Sequence, residues 1–130
     1  KGAESQQLTP DIYGLSNAFL DTGWPKLNQA KGNLQALLSA DDSQINLDTL
    51  ETVLSSTEQA KDSQLPSTGI SYEWEKQLSS CFIQMKNYGT RAMTLLLQQN
   101  SGKTMIREIE YNSNGRQNTK DFQLMLPPIG

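Results

Sequence analysis

The chain has 130 residues, 35% of them hydrophobic, and a net charge of −3, which together predict one polar folded domain. Its 11 lysines and arginines are scattered, so no basic stripe indicates nucleic-acid binding. The sequence has no apolar run of about 18 residues that could cross a membrane. Because it begins at Lys1 and not at methionine, we expect a signal or membrane anchor outside these residues.

Residues 1–44 predict an N-terminal helical segment that precedes the main domain. A first helix is expected from Pro10 to Leu20, because its apolar residues recur at helical spacing. Asp21-Thr22-Gly23 should end this helix. Pro25 should then open a second one, since proline is favoured at the first helical position.

Residues 45–130 predict an α+β domain with a permuted ferredoxin-like αββαββ core. The apolar period changes from about 3.6 to about 2 at Gly69 and returns to helical spacing at Thr90. These changes predict a helix, two strands, a second helix and two more strands, at residues 46–60, 69–76, 79–87, 90–101, 104–111 and 120–126. Gly102 should end the predicted helix over 90–101 in a left-handed conformation. We expect one four-stranded antiparallel sheet, with Asn114-Gly115 in the turn of its last hairpin.

The core of this domain is predicted from the apolar faces of its helices and strands. Six residues are expected to be deeply buried: Leu50, Leu54, Ile83, Leu96, Phe122 and Leu124. Truncation of Leu96 to alanine would then lower the free energy of unfolding by roughly 2–5 kcal/mol.

Residue types suited to catalysis are scarce. Histidine is absent and Cys81 is the single cysteine, which excludes a Cys/His zinc site within one chain and a histidine-based triad. Cys81 lies within an apolar alternation, so we expect a buried structural thiol. The sequence therefore predicts a protein that is not an enzyme, with no catalytic residue, metal site, cofactor or small-molecule substrate.

Three short patterns resemble chemical motifs but favour solvated surface. Residues 100–104, Asn-Ser-Gly-Lys-Thr, lack the first glycine of a phosphate-binding loop and follow a predicted helix where that motif needs a strand. Asp41-Asp42 lacks the glycine and the terminal glutamate of a calcium-binding loop. Glu73 and Glu75 would share the outer face of a strand, where such carboxylates usually promote solubility.

Large aromatic side chains are the best candidates for binding. Aromatic residues most often belong to cores, but when exposed they are frequent hot spots of protein interfaces. Tyr72, Trp74 and Tyr88 are therefore the candidate interface residues.

The order of elements resembles a family of bacterial assembly proteins. The stretch Cys81-Phe82-Ile83-Gln84-Met85-Lys86-Asn87-Tyr88-Gly89-Thr90, followed by a leucine-rich segment, is similar to the periplasmic domains of PilN and PilO of type IV pili and of GspL and GspM of type II secretion. The resemblance covers residues 46–126 and lies in plan and apolar spacing, not in an invariant motif. Residues 1–40 depart from it, because they lack the sustained heptads of the family's coiled coil.

The resemblance implies a non-catalytic scaffold in the periplasm, attached to the inner membrane, that pairs with itself or with a homologous assembly-platform protein. Its sheet edge or helical layer would make that contact. The alternative is a soluble, cytoplasmic regulator, such as a chaperone, inhibitor or immunity-type protein, that blocks one protein partner. Neither interpretation includes nucleic acid as a partner.

Overall fold

A computed structural model of the chain describes residues 4–130 and shows an α+β fold, which confirms the predicted class. Three helices precede a three-stranded antiparallel sheet within this range. The elements are α1 (Pro25–Leu38), α2 (Leu47–Leu54), α3 (Tyr72–Leu78), β1 (Ala92–Gln98), β2 (Lys103–Asn112) and β3 (Gly115–Met125), with short 3-10 turns at Asp42–Gln44 and Asp62–Gln64. The predicted division at residues 1–44 and 45–130 stays a prediction.

Helices α1 and α2 begin where their capping residues indicate. Pro25 is the first residue of α1, as predicted. The Asn46 side chain accepts hydrogen bonds from the backbone N–H groups of Asp48 and Thr49, both at 3.0 Å, and caps α2. The predicted helix over 46–60 nevertheless stops at Leu54. Beyond it the chain leaves helical geometry, and the Ser56 carbonyl accepts a hydrogen bond from the Phe82 N–H at 2.8 Å.

The sheet has two distinct faces. Its strand order is β1-β2-β3, with Leu95 opposite Arg107 and Leu96 opposite Ile106 in the first pair. The inner face packs against α2 around a cluster made of Leu47, Met93, Leu95 and Ile109. The outer face carries the alternate residues of each strand, because successive side chains of a strand point to opposite sides.

The predicted helix over 90–101 is wrong, because these residues form β1 and the turn after it. The leucines of this segment pair with β2, and its side chains alternate between buried and exposed as in a half-buried strand. Helical propensity is a weak preference that such tertiary pairing overrides. Gly102 is left-handed as predicted, with φ 90°, but it lies in the β1–β2 hairpin turn.

The predicted strands over 69–76 and 79–87 are also wrong. Residues 72–78 form α3, whose first turn is capped by the Ser71 side chain and contains Glu73 and Glu75, both favoured near a helix N-terminus. Residues 79–91 form a loop with one isolated bridge, between Gln84 and Gly89. The described residues therefore do not show the expected four-stranded sheet or the permuted ferredoxin-like αββαββ core. The predicted strand at 104–111 and the last hairpin are confirmed, but the two turn residues are Ser113 and Asn114, and the last strand begins earlier than predicted, at Gly115.

The predicted helix from Pro10 to Leu20 is replaced by an irregular loop. The Gly14 N–H donates to the Asp21 carboxylate at 2.9 Å, and the Gly14 carbonyl accepts from the Asp21 N–H at 2.7 Å. Gly14 also lies so close to Leu27 that a Cβ would be only 2.6 Å from that side chain. These contacts hold the backbone of the segment outside a helical ladder and against α1.

The predicted core is largely wrong: Leu54 is the last residue of α2, and Leu96, Phe122 and Leu124 lie on the outer face of the sheet. Leu54, Leu96, Phe122 and Leu124 are 39%, 54%, 50% and 37% exposed, while Leu50 and Ile83 are half-buried. The large loss expected for truncation of Leu96 therefore no longer follows.

Arg107 joins α2 to the sheet through a cluster of ion pairs. Its guanidinium donates two hydrogen bonds to Asp121 on β3, each 2.8 Å, and further ones to Asp48 at 2.6 Å and Glu51 at 3.4 Å on α2. Arg116 of β3 also pairs with Glu51. The hydrogen bonds to Asp121 and Asp48 raise the pKa of Arg107, so this side chain stays charged within the inner face.

We expect stability to fall when the pH drops below about 4, near the pKa of an unfolded aspartate. The hydrogen bonds from Arg107 lower the pKa of Asp121 in the folded protein. The folded state therefore binds fewer protons than the unfolded state, so this contribution is complete above the unfolded pKa and is lost as the pH falls through the folded one. Unfolding midpoints measured from pH 7 to pH 2 should fall less in Asp121→Asn than in the wild type. Glu110→Gln, an exposed change on β2, is the control, and equal slopes in wild type and Asp121→Asn would contradict the expectation.

Candidate interaction surface

Two of the three candidate interface residues lie together. Trp74 of α3 and Tyr88 of the following loop pack edge to face, with ring centroids 5.7 Å apart and an interplanar angle of 73°. Both remain about half exposed, Trp74 at 45% and Tyr88 at 53%. Such a pair offers large, rigid apolar area next to solvent, which is the usual character of an interface hot spot.

The loop that carries Tyr88 is held as a miniature hairpin. The Thr90 N–H donates to the Ile83 carbonyl at 2.8 Å, and the Met85 N–H donates to the Tyr88 carbonyl at 3.0 Å. The Thr90 hydroxyl oxygen accepts from the Ile83 N–H at 3.0 Å. Gly89 is required for this closure, because a Cβ there would lie 2.7 Å from the Ile83 carbonyl oxygen. Tyr88 is thus presented on a constrained loop.

The loop is anchored to the sheet at its other end. Phe82 packs edge to face on Tyr111 of β2, with ring centroids 4.8 Å apart. Both rings pack against the central apolar cluster. The position of the loop relative to α3 therefore depends on the core of the domain.

Two adjoining clefts flank the loop of residues 82–91. One of about 660 Å³ lies between this loop, α3, Thr57 and Gln59, and it is lined by Trp74, Gln77 and Phe82 among others. The second, of about 380 Å³, lies between the loop and the β2–β3 turn. Lys86 lines both clefts and Arg91 lines the second, whereas neither contains an aspartate or a glutamate. The charged side chains that line the two clefts are therefore both positive.

Tyr72 does not belong to this surface. It lines neither cleft, and a hydrogen bond to Asp62 raises the pKa of its hydroxyl. Asp62 also pairs with Lys76 at 2.6 Å. Tyr72 therefore takes part in a polar contact on a different side of α3.

Cys81 is half-buried against α1, outside any strand. Its thiol donates to the Lys26 carbonyl at 3.0 Å, and burial raises its pKa, an effect that the nearby Lys26 amine partly offsets. A thiol with a raised pKa is a poor nucleophile at neutral pH. Across the described residues, no three histidine, cysteine, aspartate or glutamate side chains are placed to hold a metal ion.

Sequence reasoning missed four contributors to the surface: Phe82, Gln84, Lys86 and Arg91. The first three were assigned to a regular strand, and Arg91 to a helix. The run Asn87-Tyr88-Gly89 was a usable signal, because a glycine next to asparagine and an aromatic residue favours a tight turn.

The family model of Transport and Golgi organisation 2, TANGO2, matches residues 1–113. That match covers most of the chain. The chain belongs to the TANGO2 family. It is also similar to a mouse protein described as Transport and Golgi organization 2 homolog, with 28% identity over 128 residues, which cover 90% of this chain and 46% of that protein. The chain therefore spans less than half the length of this TANGO2 relative.

The TANGO2 match overturns the relationship predicted from the order of elements. The comparisons point to TANGO2 and not to PilN, PilO, GspL or GspM, and the bacterial pilus or secretion platform is wrong as a function. The periplasmic location at an inner membrane, which depended on that resemblance, is wrong with it. The regulator alternative gains no support from the TANGO2 match. The longest described helix, α1, has 14 residues, and none in the described range has the length and hydropathy that a bilayer crossing needs.

Proposed function

We propose that this chain supplies a protein-binding, non-catalytic surface to a TANGO2-family protein that acts in transport and Golgi organisation, the process named in the description of its mouse relative. Protein binding is supported by one observation, the half-exposed Trp74–Tyr88 pair beside two clefts that no acidic side chain lines. The process itself is supported by the family.

The chemistry of the surface indicates the chemistry of its partner. The aromatic pair and Phe82 favour an apolar or aromatic side chain that enters the larger cleft. Lys86 and Arg91 favour acidic residues beside that anchor, because complementary charge steers association and suppresses wrong partners. The partner is therefore an acidic protein segment with an apolar anchor, and neither nucleic acid nor a small-molecule substrate.

Binding, and not catalysis, is also what the residue types support. The sequence has no histidine to act as a general base near neutral pH, and the Cys81 thiol is held against α1 with a raised pKa. Association with a second copy of the chain stays a prediction. We expect it through the exposed edges of β1 and β3, because the predicted helix over 90–101 does not form and offers no helical surface.

The test is a rescue experiment in cells that lack their own TANGO2-family protein. The complete gene product that carries this chain should restore secretion of a reporter cargo and normal Golgi morphology. The double variant Trp74→Ser/Tyr88→Ser should lose most of this rescue, because loss of each hot-spot side chain weakens binding by roughly 30-fold or more. Phe19→Ser is the control, since Phe19 is 81% exposed and lies in the loop before α1.

Two measurements make the rescue result interpretable. Unfolding midpoints of the double variant and the control should stay close to that of the wild type, which separates binding from folding. A photoreactive amino acid in place of Gln77, which lines the larger cleft, should give a covalent protein adduct that the double variant abolishes. Full rescue by the double variant would refute the surface, and failure of the wild type where the mouse relative succeeds would refute the process.

A further inference from the structure

The outer face of the sheet carries an apolar row that stays partly exposed, although the neighbouring Thr104 on the same face is fully buried. Leu96 of β1 lies opposite Ile106 of β2, which lies opposite Phe122 of β3. Leu124 is next to Phe122 on the same face of β3, two residues further along. Leu96, Phe122 and Leu124 are 54%, 50% and 37% exposed, and Ile106 is half-buried.

This row departs from the usual residue pattern of a sheet with one solvent-exposed face. Antiparallel sheets of that kind alternate apolar inward residues with polar outward ones. The outer face follows the rule at one end, where Glu108 lies opposite Lys120. Next to that pair the rule fails on all three strands, at Leu96, Ile106 and Phe122, and beyond them Gln98 and Thr104 are polar again. A contiguous exposed apolar patch of this kind indicates a surface that another layer covers.

The helices of the described range do not provide that layer. Leu47 of α2 packs on the inner face of the sheet, against Met93, Leu95 and Ile109. Helix α1 packs on α2. Both helices therefore lie on the inner side of the sheet, and they leave its outer face without a helical layer.

We propose that the remaining part of a TANGO2-family polypeptide packs against the outer apolar row. Residues 92–125 would then form the middle layer of a larger fold. The length of the relative supports this occupant, because more than half of the mouse protein lies outside the region that this chain matches. A segment of the same polypeptide acts at millimolar effective concentration, which favours it over a second copy. This inference is independent of the Trp74–Tyr88 surface, which lies on α3 and the loop after it.

Hydroxyl-radical footprinting of the complete gene product that carries this chain provides the test. It can compare two identical side chains, Phe122 and Phe19, whose exposures of 50% and 81% alone account for less than a twofold difference in oxidation. If the row is covered, Phe122 should be oxidised at least about tenfold more slowly than Phe19, as close-packed interiors exclude solvent. A ratio near two in a folded product would overturn the proposal.

A concentration series and a pair of variants complete the test. The protection of Phe122 should be independent of protein concentration; protection that grows with concentration would assign the row to a second copy and overturn the proposal. Phe122→Ser should lower the unfolding midpoint of the complete product, and Phe19→Ser should leave it unchanged. Equal midpoints for the two variants, or a complete product without any segment beyond these residues, would also overturn it.

Discussion

Replacement of Ile109 by alanine should lower the free energy of unfolding by about 2–5 kcal/mol. Ile109 has 0% exposure and belongs to the cluster that joins β2 to α2 and β1. Truncation removes buried methylene groups and leaves a cavity that the surrounding strands can fill only in part. Because domains are stable by only about 5–15 kcal/mol, this single change should visibly shift a denaturant titration.

Ile70→Ala is the matched control, since it makes the same chemical change at a residue that is 48% exposed. Its cost should stay below about 1 kcal/mol, in keeping with surface substitutions. Similar losses for the two variants would show that the inner face of the sheet is not the centre of the core.

The second large effect is expected at Gly102, in the turn between β1 and β2. Gly102 has a φ of 90°, and an added Cβ would overlap the carbonyl oxygen of Leu126. The Gly102 carbonyl also accepts a hydrogen bond from the Leu126 N–H at 2.9 Å, so the chain after β3 is held against this turn. Gly102→Ala combines the strain of a left-handed backbone with a backbone clash, and we expect a loss of roughly 2–4 kcal/mol.

Gly115 allows the two causes to be separated. It has a φ of 101° at the start of β3, directly after the turn, and no atom outside its chain neighbours lies within 4 Å of the position its Cβ would take. Gly115→Ala should therefore cost only the conformational strain, about 1–2 kcal/mol. Equal losses at both glycines in the same titration would show that the contact between the turn and Leu126 contributes nothing.

Local signals predicted those features of the fold that depend on a few adjacent residues. Pro25 at the start of α1 and Asn46 as the cap of α2 are found as expected, and the last hairpin turns one residue earlier than predicted, at Ser113-Asn114, followed by the left-handed Gly115. In each case the deciding interaction is made by residues close in sequence, whether a fixed φ, a side-chain cap or a turn that needs glycine. The left-handed Gly102 belongs to the same group, although the element around it was misassigned.

The candidate surface was predicted only in part. Trp74 and Tyr88 are candidates because they are large amphipathic aromatic residues, and the structure brings them into contact although they are 14 positions apart in sequence. Tyr72 was chosen for the same reason but faces Asp62. Composition identifies which side chains can bind, whereas the packing of α3 against the loop decides which of them share a surface.

The α+β class, the capped helix starts, the last hairpin and the lack of histidine chemistry can all be read from the amino acids alone. By contrast, the helix at residues 72–78 and the strand at residues 92–98 depend on contacts between distant parts of the chain. Short apolar runs fit either period, and the partner on β2 selects the strand for Leu95 and Leu96. The same pairing sends Leu95 inward and Leu96 outward, because one step along a strand reverses the face. Which leucines form the core and which form the outer row thus depends on register, which local sequence does not encode.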